Sequence, residues 1–488
     1  MNERFLHASA RVTTVRPAIP DSVLQQFTDI VGANYALRDP LDQKKYLVEW
    51  RDLYRGVSPL VLRPGTAEEV SRILALASET KTAIVPQGGN TGLVGAQVPD
   101  SSNTEIVLSV DRLNKIRHVD PVGYAMTVEA GVILDAIHTA ADDVDRLFPL
   151  TLGSQGSCTI GGNLSSNAGG TSVIAYGNAR DLVLGLEVVL PTGEIINGLR
   201  SLRKDNAGYD MKHMFLGTEG TLGIITAAVI KLFPKPKATE VAFVGVESPE
   251  HALTLLERAK ALAGGQLTAF EIMPRGLLEF NLRHVPGTRE PVETVCPWYL
   301  LIEISVGSTE DAARTLMETL LEQGFEAGLV IDATISANVK QRQDFWKIRH
   351  EMSDVQKLEG GSIKHDVSLP VASVPEFLRR AIAVVEDMVP GSRPIPFGHM
   401  GDGNIHFNVS QPIGADRDAF LNRWEEVNAA VHAITTEMGG SIAAEHGVGR
   451  LKRDLLPGVR SPVEMALMRR LKSMLDPAGI LNPGRVIA

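Results

Sequence analysis

The stretch Pro86-Gln87-Gly88-Gly89-Asn90-Thr91-Gly92 decides how the first half of this chain is read. It comes directly after residues 82–86, a short apolar run of strand length. Glycine lets a backbone approach a ligand closely and tolerates positive φ. Successive backbone N–H groups in such a loop form a nest for phosphate. A tight turn would explain this loop by itself, but more small-residue stretches follow. They are Gly153-Ser154-Gln155-Gly156-Ser157, Thr159-Ile160-Gly161-Gly162-Asn163 and Ser166-Asn167-Ala168-Gly169-Gly170. Glycine-rich bulges in a sheet would use the same residues. So many of them leave little side chain to pack a core, and they leave room for a flat ligand lying on backbone. Neither GxGxxG nor GxxxxGK[ST] occurs, so neither a Rossmann dinucleotide site nor a P-loop is indicated.

The chain has 488 residues, which predicts more than one domain. Hydrophobic residues make up 44% and charged residues 22%, ordinary for a globular protein. The formal net charge of -10, with no Lys/Arg block, argues against a nucleic-acid partner. It argues less against an anionic substrate, because a buried site is governed by its local charges. Two cysteines, Cys158 and Cys296, offer no disulfide framework, so a reducing compartment is expected. No apolar run reaches the roughly 20 residues of a membrane span. The first twenty residues carry Arg4, Arg11 and Arg16 but also Pro17 and Pro20, which break an amphipathic transit helix. The location is therefore read as cytoplasmic, with mitochondrial import the lesser alternative.

Residues 22–50 read as a helical lead-in. Thr66 caps a helix over 70–78, with Glu69 three residues on. Strands are predicted at 82–86, 106–110, 125–129 and 183–190, and a helix at 134–141. Pro234 and Pro236 mark a domain boundary. Beyond it, strand–helix pairs at 241–246 with 250–262 and at 299–306 with 309–323 fit a split α+β sheet. Helices over 377–388 and 462–475 complete the pattern. The expected domains are a helical lead-in over 1–54, a first domain over 55–236, a second over 237–440 and a C-terminal segment over 441–488 that completes the site and returns to the first domain.

The second half is dominated by Gly398-His399-Met400-Gly401-Asp402-Gly403-Asn404-Ile405-His406-Phe407-Asn408. Three glycines disfavour a helix. His399 is therefore placed on a loop, and His406 at the start of a strand. Glu445-His446-Gly447 follows much later. Two imidazoles and a carboxylate are a common divalent-metal set with open positions for substrate, although two nearby histidines are also often unrelated. Asp402-Gly403-Asn404 lacks the later Glu of a calcium loop.

Residues 86–95, 148–170, Lys204-Asp205-Asn206-Ala207-Gly208-Tyr209-Asp210 and 217–226, in that order, resemble the FAD-binding domain of the vanillyl-alcohol oxidase / p-cresol methylhydroxylase (PCMH) superfamily. The resemblance implies an α+β fold: a PCMH-type FAD-binding domain of two α+β subdomains, an α+β substrate (cap) domain and a C-terminal helical segment. It implies FAD contacts from Pro86, Gly88, Gly89, Asn90, Thr91, Gly92, Gly153, Ser154, Gly156, Thr159, Gly161, Gly162, Asn163, Ser166, Asn167, Gly169, Glu219, Gly220, Gly223, Ile225 and Asn482. The first glycine loop lacks the His that often tethers the flavin, so non-covalent FAD is expected.

The segment 398–408, Glu445-His446-Gly447 and 475–484 are similar to the FAD-linked D-2-hydroxy-acid dehydrogenases, and nearest in pattern to the D-2-hydroxyglutarate dehydrogenases. The similarity implies a divalent metal, zinc first among the expected ions, on His399, His406 and Glu445, with His446 as the base. It also implies that Arg349, Ser353 and Lys364 grip the distal carboxylate of the substrate and that Asn408 is a further substrate-side polar contact, which favours a dicarboxylate. The implied reaction oxidises D-2-hydroxyglutarate, and by extension D-malate, to the 2-keto acid. A D-lactate or glycolate dehydrogenase shares the same loops and metal set. A flavin-binding subunit without turnover is the remaining alternative. Resemblance further implies an electron-transfer flavoprotein or quinone-linked carrier as acceptor, and a homodimer.

Overall fold

The computed structural model describes residues 16–487. The arginines at positions 4 and 11, on which the transit reading rests, lie outside that range. The helix Asp21–Val31 buries Leu24, Phe27 and Val31 against the helix Ala67–Thr80. The lead-in is not only helical. Ala36–Leu37 pairs antiparallel with Val61–Leu62, which continues in parallel to Glu105–Ser109 and Ala83–Gln87. The residues before 55 are thus built into the first sheet. Thr66 caps the helix Ala67–Thr80 by accepting from the Glu69 N–H at 3.1 Å, as its spacing predicts. The Glu69 carboxylate reaches Gly65 N rather than the cap itself.

A second sheet is antiparallel in the order Ile116–Asp120, Ala125–Glu129, Ile224–Lys231, Val183–Val189 and Ile195–Gly198. Val183–Val189 is buried at every position, so it shows no period-two alternation. The helix Ile160–Ser166, rising out of the second glycine stretch, packs on this sheet. The third sheet has eight strands and begins at Ala238. Its order is Asp332–Ile335, Ala238–Val246, Trp298–Val306, Leu267–Pro274, Arg393–His399, Asn404–Ser410 and Ser362–Lys364, with Val367–Ser368 also pairing Asn404–Ser410. The helices Pro249–Ala263, Glu310–Glu326 and Val374–Met388 cover one face, and Arg275–His284 with Val339–Val355 cover the other.

The end of the chain returns to the first sheet. Leu481 bridges Ile84 in parallel, and Ile480 and Leu481 join its core. Arg485 then forms a buried ion pair with Glu105, at 2.6 and 2.8 Å, and both side chains are only 3% exposed. Removing one partner of such a pair leaves a charge with neither water nor a counterion. Glu105→Ala should therefore cost about 3–5 kcal/mol of unfolding free energy. The exposed Lys340–Asp344 pair, 80% and 54% exposed, should change stability by about 0.5 kcal/mol or less on Lys340→Ala. Urea unfolding of both variants checks this, and equal effects would contradict it.

Candidate active site

The first glycine loop leaves the strand Ala83–Gln87 and lies directly on the second. A Cβ on Gly88 would stand 2.4 Å from Thr159 Oγ1, and one on Gly89 2.1 Å from Ser157 O. No residue with a side chain fits there, so backbone faces backbone across the start of a cleft of about 1140 Å³. Of the residues predicted to hold FAD, all but Gly156 and Asn167 line this cleft. Gly156 sits beside Asp135. Asn167 ends the helix Ile160–Ser166 in a left-handed conformation, and its Oδ1 accepts from Arg180 N at 3.0 Å. That role is structural.

Three lining residues, Asn90, Glu219 and Asn482, hold left-handed φ of 57°, 51° and 44° without being glycine. Such backbone persists only where the surroundings impose it. Asn90 Nδ2 donates to the carbonyls of Lys45 and Val48, and Asn482 Nδ2 donates to Glu219 O at 2.8 Å. The oxygens Asn90 Oδ1, Asn482 Oδ1 and Thr159 Oγ1 are buried without a protein partner. Together they give a flat, polar, glycine-walled groove with acceptors left over, a fit for a nucleotide cofactor.

The same cleft continues into the second half. His399 is not on a loop, as its glycine neighbours suggest. It ends the strand Arg393–His399, which pairs residue for residue with Asn404–Ser410 across a tight hairpin. The glycines serve that turn, and Gly403 has φ +86° with its would-be Cβ 2.1 Å from Leu369 O. His406 lies within the second strand rather than at its start. The hairpin brings the two imidazole rings to 5.6 Å, and His446 stacks on His406 at 5.8 Å.

The donors converge. His399 Nε2 is 4.0 Å and His406 Nε2 3.5 Å from opposite oxygens of Glu445. Ligand atoms around one ion at about 2.0–2.2 Å stand roughly 3–4 Å apart; His406 and Glu445 meet that spacing, while His399 stands at its outer edge with Arg349 Nη2 3.5 Å from the same Nε2, outside the tightest donor cluster. Asp366, His406, Glu445 and His446 also lie together with donor atoms within 4.8 Å. The Asp366 oxygens, however, already accept from Asn404 Nδ2, Glu445 N and His446 N at 2.9–3.0 Å. Asp366 faces Nδ1 of His406 at 3.8 Å and Nδ1 of His446 at 3.6 Å, on the far side of both rings from Glu445. It faces both rings from outside without hydrogen-bonding either, whereas Glu271 bonds His399 Nδ1 at 2.6 Å and fixes that ring.

Burial pushes His406 down to about 3, which keeps it neutral as a ligand must be. Burial also opposes charge on His399, but the Glu271 carboxylate outweighs it and raises His399 to about 9. Burial works against charge on Asp366 too, yet His446, Lys452 and His406 hold it well below the usual carboxylate range. Glu219 is pushed up to about 7 by burial, although Val448 N and Gly449 N donate to it at 2.7 and 2.9 Å. Those two bonds tie the loop after His446 to the flavin-side half.

All four predicted substrate residues line the cleft. Arg349 donates to Glu271 at 2.5 Å, and its Nη2 lies 3.5 Å from His399 Nε2, so it stands beside the histidine set. Ser353 is one helical turn away, and its carbonyl accepts from Lys364 Nζ at 3.1 Å. Asn408 is tied to Gln356 at 2.9 Å. Glu271, Asp366 and Lys452 were not foreseen. Glu271 lies in the strand Leu267–Pro274, whose apolar sequence hides one acid. Asp366 and Lys452 stand beside quoted motifs, and a buried acid amid an apolar run was the available signal.

Comparisons with known proteins agree with this layout. Residues 235–486 match the family model of the C-terminal domain of FAD linked oxidases, and residues 58–198 match an FAD binding domain. The mitochondrial D-2-hydroxyglutarate dehydrogenase of Arabidopsis thaliana is 38% identical over 461 residues, 94% of this chain and 80% of the relative. That of Rattus norvegicus is 40% identical over 454 residues, 92% and 82%. The D-2-hydroxyglutarate dehydrogenase of Xanthomonas citri is 36% identical over 450 residues, 92% and 93%. Among solved structures, p-cresol methylhydroxylase superposes with a TM-score of 0.76 at 16% identity, over 96% of both chains. An alkyldihydroxyacetonephosphate synthase gives 0.73 at 18%, over 96% of this chain and 87% of that one. The fold is therefore the PCMH type, and the chain belongs to the FAD-linked oxidase family alongside the D-2-hydroxyglutarate dehydrogenases.

Proposed function

We propose that this protein is an FAD-dependent dehydrogenase that oxidises D-2-hydroxyglutarate to its 2-keto acid. One observation carries the reading: a single cleft is lined by the glycine loops on one side and by His399, His406, Glu445, His446 and the substrate cations on the other. The names of the relatives supply the substrate. Bound FAD would supply a two-electron acceptor, and a divalent cation on His399, His406 and Glu445, zinc being suited to these donors, would stabilise an alkoxide.

The remaining chemistry falls to side chains. Asp366 facing Nδ1 of His446 favours the tautomer protonated there, leaving Nε2 to accept the substrate hydroxyl proton. Arg349 beside His399 can hold the carboxylate next to the reacting carbon. Lys364 brings a second positive charge to the same cleft, which D-lactate or glycolate would leave unused. D-Malate, one methylene shorter, is a second substrate on the same reasoning. A protein or quinone carrier is proposed as the acceptor on the family resemblance alone. Two free, buried cysteines fit a reducing compartment such as the cytoplasm.

Turnover with a dye acceptor tests the roles. His446→Gln should lower kcat about 10²–10⁴-fold with flavin content unchanged; wild-type turnover would remove the base assignment. Glu445→Ala should abolish stoichiometric zinc in the purified protein, read by elemental analysis, and retained zinc would point to another donor set. Gly89→Ala forces the glycine loops apart and should lower the FAD content of folded protein, read by the visible absorbance ratio. Full occupancy there would contradict the groove as the cofactor site.

A further inference from the structure

Four arginines and lysines that line the cleft are buried or half-buried: Arg51, Arg349, Lys364 and Lys452. Two are matched by carboxylates. Arg349 pairs with Glu271 at 2.5 Å, and Lys452 lies 4.0 Å from Asp366. Lys364 has a hydrogen bond only to the Ser353 carbonyl. Arg51 has no side-chain hydrogen bond and no ion pair among the described residues. Its neighbour Glu49 spends both carboxylate oxygens on the backbone N–H groups of Arg51 and Leu53, at 2.7 and 2.5 Å.

The local structure explains how Arg51 reaches the cleft. Residues 48–55 form a small hairpin closed by the Val48–Arg55 bridge and by Glu49 N donating to Tyr54 O. Asn90 of the first glycine loop holds its base through the Val48 carbonyl. At its tip Trp50 meets Lys357 of the opposite half, with the ammonium 4.9 Å from the ring centroid. The arm therefore spans the cleft, and Arg51 is carried on it.

Arg51 also acts electrically on its surroundings. Burial, then Arg51 and Lys357, push Lys364 down to about 7. Burial likewise lowers Arg51 itself. Glu49 and Asp366 favour charge on Arg51, and Asp354 favours it on Lys364, but none of these carboxylates forms an ion pair with either side chain among the described residues. Two cations without a direct ion pair on one cleft form a site that a carboxylate would relieve.

We propose that Arg51, from the N-terminal hairpin, joins Lys364 to bind the distal carboxylate of a dicarboxylate substrate and so sets the preference for two carboxylates over one. The proposal rests on the dehydrogenase reading for the substrate's identity, but its test needs no turnover. The FAD-loaded protein is titrated with glutarate and with butyrate, following the perturbation of the visible flavin spectrum. Wild type should bind glutarate more tightly. Arg51→Met should lower that preference about tenfold or more, and Arg51→Lys should recover part of it. Unchanged preference in Arg51→Met, equal weakening of both acids, or no preference in wild type would each overturn the assignment. Tight glutarate binding lost in Arg51→Met, with no flavin reduction by D-2-hydroxyglutarate in wild type, would support Arg51 while sinking the substrate reading.

Discussion

A buried carboxylate, that of Asp366, organises the reactive end of the cleft. It is 2% exposed, and a charge there is tolerable because His446, Lys452, His406 and donated hydrogen bonds compensate it. It accepts from the backbone of Glu445 and His446 and from Asn404 Nδ2, with Lys452 beyond. These bonds lock the 445–446 loop against the hairpin that carries His399 and His406. The same carboxylate faces Nδ1 of His406 and His446 at 3.8 and 3.6 Å, so one negative charge lies behind both rings. Removing it would leave three donors unpaired.

The other requirement is that the two halves face each other, and backbone achieves much of this. Glu219, strained into left-handed backbone, accepts from Val448 and Gly449, while Asn482 donates to its carbonyl. Three distant chain segments thus meet at one residue of the flavin-side wall. The return of Leu481 to the edge of the first sheet and the buried Arg485–Glu105 pair fix that meeting. The C-terminal segment is therefore part of the site's frame, as the resemblance carried by residues 475–484 leads one to expect.

Much of this was legible from residues alone, and for identifiable reasons. The glycine loops are dense because backbone must touch backbone, and that density survives in one sequence. Long amphipathic helices such as Pro462–Leu475, with its Ser461 capping box, declare both ends. The strand Leu267–Pro274 and the helix Val339–Val355 leave no clear signal in the sequence. The first is buried at almost every position, and the second has weak amphipathic contrast, so neither shows a clean period. His399 was placed on a loop because glycines oppose a helix, yet glycines also serve a tight hairpin. Outer partners such as Glu271 and Asp366 are set by pairing across sheets and loops, which no local pattern encodes.

The proposed reaction requires one substrate molecule to meet the flavin and a divalent metal held by His399, His406 and Glu445 in the same cleft. Anaerobic rapid mixing with D-2-hydroxyglutarate, protonated or deuterated at C2, tests it most directly, before and after chelation. Fast bleaching of the visible flavin band is expected, slowed by C2 deuteration, abolished by chelation and restored by zinc. Bleaching indifferent to chelation, or none at all with FAD in place, would contradict it.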